Sequence, residues 1–229
     1  MMKSLRFVII FLAVVNTVLI LNAEENVKKQ FEAKYQAWKG YISRPEIMVQ
    51  SIAGPRFECP QFQEIVKLGL PALPYIVRKM EENPDEQFLW KAIEEITKVK
   101  IRGKYDKQKN TIIFPDFPDL KPGENVYLYW WREGRKQTPQ LFGKLYSEWK
   151  ELQIAGKEKE ANEKYRKIKN LGIVALPYIM EKIKQGETEL IPIVSYLTDE
   201  SIKKDAKVSK CLDWWNRNKD KWIIPNGSE

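Results

Sequence analysis

The chain has 229 residues, with 39 lysine and arginine residues against 31 aspartate and glutamate residues, and it has no histidine. The lack of histidine excludes Ser-His and Cys-His nucleophile pairs, and two cysteines are too few for a cysteine-rich zinc site. The net charge of +8 comes from interleaved lysine and glutamate, which is typical of solvated helix faces and not of nucleic-acid binding. We therefore predict no catalytic residue, no metal site and no cofactor.

The first 23 residues have the features of a secretory signal peptide. Two basic residues precede a mostly apolar run over 7–21, and Ala23 offers a small residue for cleavage before Glu24. The run is short for a membrane span, which needs about 20 apolar residues. We predict export, to the periplasm or as a secreted protein, with an uncleaved anchor in the inner membrane as the alternative.

The remaining chain contains an internal duplication. Residues 68–76 read Leu-Gly-Leu-Pro-Ala-Leu-Pro-Tyr-Ile, and residues 171–179 read Leu-Gly-Ile-Val-Ala-Leu-Pro-Tyr-Ile. The ordered recurrence of this and three further landmarks predicts one module over 24–138 and a second over 139–229. The further landmarks are Phe31, Tyr35, Trp38 and Lys39 with Phe142, Tyr146, Trp149 and Lys150, then Ile93, Ile96 and Thr97 with Val194, Leu197 and Thr198, and last Trp130-Trp131 with Trp214-Trp215.

The repeated segments have the periodicity of helices. An apolar stripe with spacing i, i+3, i+4 and i+7 begins at Leu73 in the first module and at Leu176 in the second. Gly69 and Gly172 precede these stripes and suit the left-handed turn that closes a helix. Each module is therefore predicted to contain a helix, a tight glycine turn and a second helix, followed by a third and a fourth. The predicted fold class is all-α, made of two duplicated modules of antiparallel helix pairs.

The repeated pattern Ile-x-x-Leu-Gly-x-x-Ala-Leu-Pro-Tyr-Ile-x-x-x-Met/Ile resembles HEAT-like helical repeats, especially divergent repeats of exported bacterial proteins. The resemblance covers mainly 60–98 and 163–200. It implies helix pairs that pack side by side into a superhelix and act by binding partners, with no shared catalytic residues. The units here recur at roughly 100 residues, whereas HEAT pairs recur at about 40–47. Each module is therefore expected to hold two helix pairs.

Residues 99–124 form an insertion that the second module lacks. Its three prolines exclude a continuous helix, and a strand over 111–114 is predicted to pair with residues 99–101 in a short hairpin. The insertion is expected either to cover the seam between the modules or to contact a partner. The predicted partner-binding residues, two of which follow the insertion, are Arg102, Lys104, Tyr105, Lys107, Lys109, Tyr127 and Tyr129.

Two residue types allow more than one interpretation. The eight tryptophans are compatible with sugar binding, but most of them recur at matched positions, which favours packing in the core or at the seam between the modules. We take Tyr127 and Tyr129, together with Trp222, as the better candidates for exposed aromatic residues. Cys59 and Cys211 are either joined in a disulfide or are two buried free thiols.

The sequence predicts an exported helical-repeat scaffold that binds another protein or a peptide and performs no catalysis. Duplicated amphipathic helices without reaction-centre residues favour this function. The alternative is a protein that binds envelope glycans or anionic cell-wall polymers, which the basic excess and the aromatic residues favour. A hydrolase that uses paired carboxylates is a third hypothesis. Nucleic acid is not expected as a partner, and membrane contact is expected only if the N-terminal segment stays uncleaved.

Overall fold

Residues 24–50, 52–108 and 110–224 are described in the computed structural model, and they form an all-α fold with one short β-hairpin, as predicted. The first helix, α1, is described over 24–42. The further elements are α2 (Pro45–Met48), α3 (Gly54–Phe57), α4 (Pro60–Val66), α5 (Leu73–Glu82), α6 (Trp90–Thr97), β1 (Lys104–Asp106), β2 (Thr111–Ile113), α7 (Val126–Arg132), α8 (Thr138–Ile154), α9 (Glu158–Asn170), α10 (Leu176–Lys184), α11 (Ile191–Leu197) and α12 (Val208–Asn218). Short 3-10 turns lead into α5, α6, α8, α10 and α11.

The described chain divides into two compact units, residues 24–75 and residues 76–224. The division falls inside α5. The predicted module boundary after residue 138 lies within the second unit, so the compact units and the sequence modules are different divisions of the chain. The two modules stay a prediction from the repeated sequence.

Aromatic side chains of α1 form the core of the first unit. Phe31, Tyr35 and Trp38 recur every three or four residues, which places them on one helix face, and all three are buried. Phe31 stacks on Tyr35 with ring centroids 5.9 Å apart, and Trp38 packs against Phe62 at 5.6 Å. The indole N–H of Trp38 donates to the carbonyl oxygen of Arg56 at 2.8 Å, so its polar atom is satisfied inside the core.

The second unit repeats this arrangement on α8. Phe142 stacks on Tyr146 with ring centroids 6.0 Å apart, and Trp149 packs against Tyr165 of α9 at 5.4 Å. Helices α8 and α9 pack side by side and are joined by a short turn. The second unit therefore contains a packed helix pair of the kind that helical repeats use. The prediction that Trp38 and Trp149 are packing residues is confirmed.

The two predicted apolar stripes are confirmed as buried helix faces. The stripe that begins at Leu73 on α5 and the stripe that begins at Leu176 on α10 are at most 3% exposed. Gly69 has a φ of 66° and Gly172 a φ of 71°, both in the left-handed region that favours glycine. The predicted order of helix, glycine turn and helix is therefore correct in both segments.

The glycine turn before α10 holds the start of the insertion in place. A Cβ atom at Gly172 would lie 2.6 Å from the backbone nitrogen of Val99 and would also meet the carbonyl oxygen of Thr97. The backbone N–H of Lys100 donates to the carbonyl oxygen of Asn170 at 2.9 Å. This close approach leaves no space for a side chain on the turn. The end of α6 and the first residues of the insertion are thereby fixed against the end of α9.

The β-hairpin lies further along the insertion than predicted. Strands β1 and β2 are antiparallel and pair Lys104 with Ile113 and Tyr105 with Ile112. The predicted second strand is confirmed over Thr111–Ile113. The predicted first strand over 99–101 is wrong, because the backbone there is hydrogen-bonded to the end of α9.

Both cysteines are buried free thiols in the structure. The Sγ atom of Cys59 lies 3.5 Å from the carbonyl oxygen of Arg56. Cys211 is fully buried on α12, and burial raises the pKa of its thiol. Of the two alternatives, the structure contains the free thiols and not the disulfide, and a buried thiol of this kind packs as a small apolar side chain.

The predicted signal peptide, residues 1–23, lies outside the described residues. Within the described ranges, no helix is both long enough and apolar enough to cross a membrane. Export and the alternative of an uncleaved anchor therefore stay predictions.

Candidate functional site: a pocket beside the insertion

A pocket with a volume of about 270 Å³ opens between the insertion and the helix pair α8–α9. Residues 99–104 and 115–117 line one side, and one face of α9 lines the other. Side chains from α7 and α8 complete the pocket. All these elements belong to the second compact unit. The insertion that is unique to the first predicted module therefore builds this pocket together with helices of the second.

Apolar side chains form the floor of the pocket. Trp130 and Leu145 are almost fully buried, and Leu141, one helical turn before Leu145, is half-buried. Phe117 also lines the pocket and packs edge-on against Tyr129 with ring centroids 5.6 Å apart. Because removing apolar surface from water lowers the free energy, this floor favours an apolar group of a ligand.

Charged side chains surround the opening of the pocket. Lys167 Nζ lies 3.8 Å from Glu163 Oε1 on the same helix. Among the described residues, the other basic side chains at the opening make no ion pair within 4.0 Å. The pocket thus combines an apolar floor with several basic side chains that have no acidic partner in the described part of the chain. The basic residues are Lys100, Arg102, Lys104, Arg166 and Lys167, and the acidic residues are Asp116 and Glu163.

The predicted partner-binding residues of the insertion fall into two groups. Arg102 and Lys104 line the pocket. Tyr105 and Lys107 are exposed on the hairpin outside it, and Tyr105 forms an exposed cross-strand pair with Ile112. Lys109 lies outside the described residues. The structure therefore places part of the predicted basic surface at the pocket and part on the hairpin beside it.

Tyr127 and Tyr129 are buried, so the prediction that they are exposed is wrong. The ring of Tyr127 stacks on Trp90 at 5.2 Å, and its hydroxyl donates to Glu94 Oε2 at 2.8 Å. Burial and the hydrogen bond to Glu94 raise the pKa of Tyr127 well above its usual value. Tyr129 packs on Phe117 beneath the pocket. Neither tyrosine reaches a partner without opening the core, so both leave the predicted binding surface.

The sequence did not indicate that side chains of α9 line a pocket. Arg166, Lys167 and Asn170 line the pocket from this helix. In the sequence they belong to a stretch of alternating lysine and glutamate, which indicates a solvated face. Asn170 lies four residues after Arg166 and three residues after Lys167, which places it on the same side of the helix as both, and this spacing was the available signal.

The two tryptophan pairs differ in their burial. The pair in α7 is buried, as predicted. Trp214 and Trp215 in α12 are only half-buried, and the ring of Trp214 lies 5.9 Å from that of half-buried Trp222. This second pair packs against a neighbouring indole, but it is not fully buried as the first pair is. Helix α12 packs against α10, and Cys211 is its fully buried residue.

Among the described residues, no group of three or more histidine, cysteine, aspartate or glutamate side chains is arranged to hold a metal ion. A comparison of the chain with models of known protein families, with curated proteins and with solved structures finds no match. The pocket is therefore the feature from which we infer function.

Proposed function

We propose that the protein is an exported, non-catalytic scaffold of the HEAT-like type that binds a protein or peptide partner at the pocket between the insertion and α9. The pocket carries this proposal, because it combines an apolar floor with five basic side chains, four of which have no ion-pair partner in the described chain. Binding sites usually combine an apolar lining with a few placed polar groups. Packed helix pairs supply a rigid frame, and helical repeats use such frames to present binding surfaces.

Photo-crosslinking from the pocket tests this function. A benzophenone side chain replaces Glu163, an exposed residue that lines the pocket, in one variant, and Lys159, an exposed residue of the same helix outside the pocket, in the control variant. In cells that make the protein at its natural level, we expect position 163 to crosslink to one defined polypeptide and position 159 not to do so. Equal products from both positions, or none from position 163, would contradict a polypeptide partner at the pocket.

Export is the second part of the proposal and has its own measurement. A signal peptide cleaved after Ala23 yields a mature chain that begins at Glu24. N-terminal sequencing of the protein from the cell envelope and from the medium checks this start. Recovery of the uncut chain in the membrane fraction would favour the uncleaved anchor instead.

A second candidate function, binding of envelope glycans or anionic cell-wall polymers, is favoured by the half-buried indoles of α12. Trp214 contacts both Trp215 and Trp222, with ring centroids 6.4 Å and 5.9 Å apart. Partly exposed aromatic faces can stack on the apolar faces of sugar rings. For this function, Trp222→Ala should abolish the change in tryptophan fluorescence that purified cell-wall polymer causes. An unchanged response in that variant would remove this candidate.

A further inference from the structure

The chemistry of the pocket indicates which kind of polypeptide it accepts. Resting on the proposed function, we infer that the pocket binds an acidic linear peptide segment that inserts one apolar side chain between the insertion and α9. The inserted side chain lies on the floor of Leu141 and Leu145, and carboxylates on either side of it meet the basic side chains at the opening.

The volume of the pocket sets the size of the inserted group. A cavity of about 150 Å³ holds a benzene molecule, whereas sites for drug-sized ligands measure about 300–1,000 Å³. At about 270 Å³ the pocket is large enough for one aromatic or branched aliphatic side chain, and it lies near the lower end of the range for drug-sized ligands. This size fits a single side chain of a peptide whose backbone stays outside.

The charges at the opening set the sign of the flanking residues. Five basic and two acidic side chains give the opening a formal charge of 5 − 2 = +3. Lys167 has Glu163 within 3.8 Å, but Lys100 and Arg166 have no ion pair in the described part of the chain. A basic peptide would be repelled here, whereas an acidic peptide meets cations on both sides of its inserted residue.

The two sides of the pocket are held together before any ligand binds. The hydrogen bond from Lys100 N–H to the Asn170 carbonyl joins the insertion to the end of α9, and Gly172 brings the backbone of Val99 into direct contact. Arg102 and Arg166 therefore extend from two backbones that are already fixed to each other. Such pre-organisation lowers the entropy that binding must otherwise overcome.

A matched peptide set tests the inference on the full mature protein. The fluorescent parent peptide is about seven residues long, which is about 23 Å when extended, with a central leucine between two runs of three glutamates. One relative replaces leucine with serine, and a second replaces every glutamate with lysine. Fluorescence anisotropy measures the Kd of each. We expect the serine peptide to bind at least about tenfold more weakly, because it buries less apolar surface, and the lysine peptide not to bind.

Two protein variants locate the binding on the molecule. Arg166→Glu reverses a charge at the pocket, and Lys159→Glu makes a comparable reversal at an exposed position of α9 outside it. Both positions are exposed, so neither substitution disturbs the core. We expect Arg166→Glu to weaken binding of the parent peptide about tenfold, which is about 1.4 kcal/mol, and Lys159→Glu to leave it nearly unchanged.

Other results would overturn the inference in distinguishable ways. Equal binding of the leucine and serine peptides would show simple ion exchange without an inserted side chain. A lysine peptide that binds and is sensitive to Arg166→Glu would reverse the charge preference but leave a polypeptide partner in place. Failure of every peptide, with binding of phosphatidylglycerol vesicles or dextran sulfate instead, would remove the acidic peptide. The crosslinking from position 163 then decides independently whether the proposed function stands.

Discussion

Replacing Gly172 with alanine puts a methyl group into the contact that holds the insertion. The φ of this residue is 71°, and the added Cβ would lie 2.6 Å from the nitrogen and 2.9 Å from the Cα of Val99. A left-handed backbone costs an alanine about 1–2 kcal/mol, and crowding against backbone atoms adds about 1–3 kcal/mol. We therefore expect Gly172→Ala to lower the free energy of unfolding of the second unit by about 2–5 kcal/mol.

Gly156 supplies the matched control for this substitution. It lies in the same unit and has a φ of 67°, but no heavy atom lies within 4 Å of an added Cβ. Gly156→Ala should therefore cost only the backbone part, about 1–2 kcal/mol. Urea denaturation, followed by circular dichroism and tryptophan fluorescence, gives the free energy of unfolding of both variants. The m value should stay unchanged, because neither substitution alters the surface that unfolding exposes. Equal losses in the two variants would refute the packing of residues 97–100 against the glycine turn.

Three further predictions concern single interactions. The hydrogen bond from Lys34, with a second from Lys67, lowers the pKa of Glu64 to about 2, so the contribution of this carboxylate to stability is present above about pH 4.5 and is lost as the pH falls towards 2. Glu64→Gln should therefore make the midpoint of unfolding less dependent on pH over that range, and an unchanged pH dependence would contradict the ion pairs. Tyr127→Phe removes the 2.8 Å hydrogen bond to Glu94 and should cost about 1–2 kcal/mol in urea denaturation, whereas Tyr178→Phe at an exposed position should cost less than about 0.5 kcal/mol. Thr97→Val removes the hydrogen bonds of the Thr97 hydroxyl with the Ile93 carbonyl oxygen and with the backbone N–H of Val99, whereas Thr198→Val removes the hydrogen bond to the Val194 carbonyl oxygen. Calorimetry should therefore show Thr97→Val to be the more destabilising by about 1 kcal/mol.

The helices and their glycine turns could be predicted because the signals are local. The stripes on α5 and α10 follow the helical period, and left-handed residues such as Gly172 are usually glycine. The duplication strengthened these signals, because a chance apolar pattern would not recur together with the glycine turn that precedes it. The matched rings of α1 and α8 follow from the same repeated residues, with Phe31 and Phe142 each stacked on the tyrosine four positions later.

The pocket could not be predicted because it joins residues that are distant in the sequence. Arg102 and Arg166 come to one opening only because the insertion is hydrogen-bonded to the end of α9. The burial of Tyr127 and Tyr129 was missed for a related reason. Residues two positions apart on a helix point to nearly opposite sides, so periodicity leaves one of them exposed. Here α6 covers one side of α7 through Trp90, and the insertion covers the other through Phe117.

Amide hydrogen exchange of the protein, with and without the glutamate–leucine peptide, tests most directly whether this pocket is the binding site. Bound peptide should slow exchange in residues 99–104 and 163–171, because these segments form the two sides of the pocket. Residues 208–222, which contain the half-buried tryptophans, should exchange at an unchanged rate. Slower exchange confined to 208–222, or no change in any segment at saturating peptide, would contradict a polypeptide-binding scaffold built around the insertion.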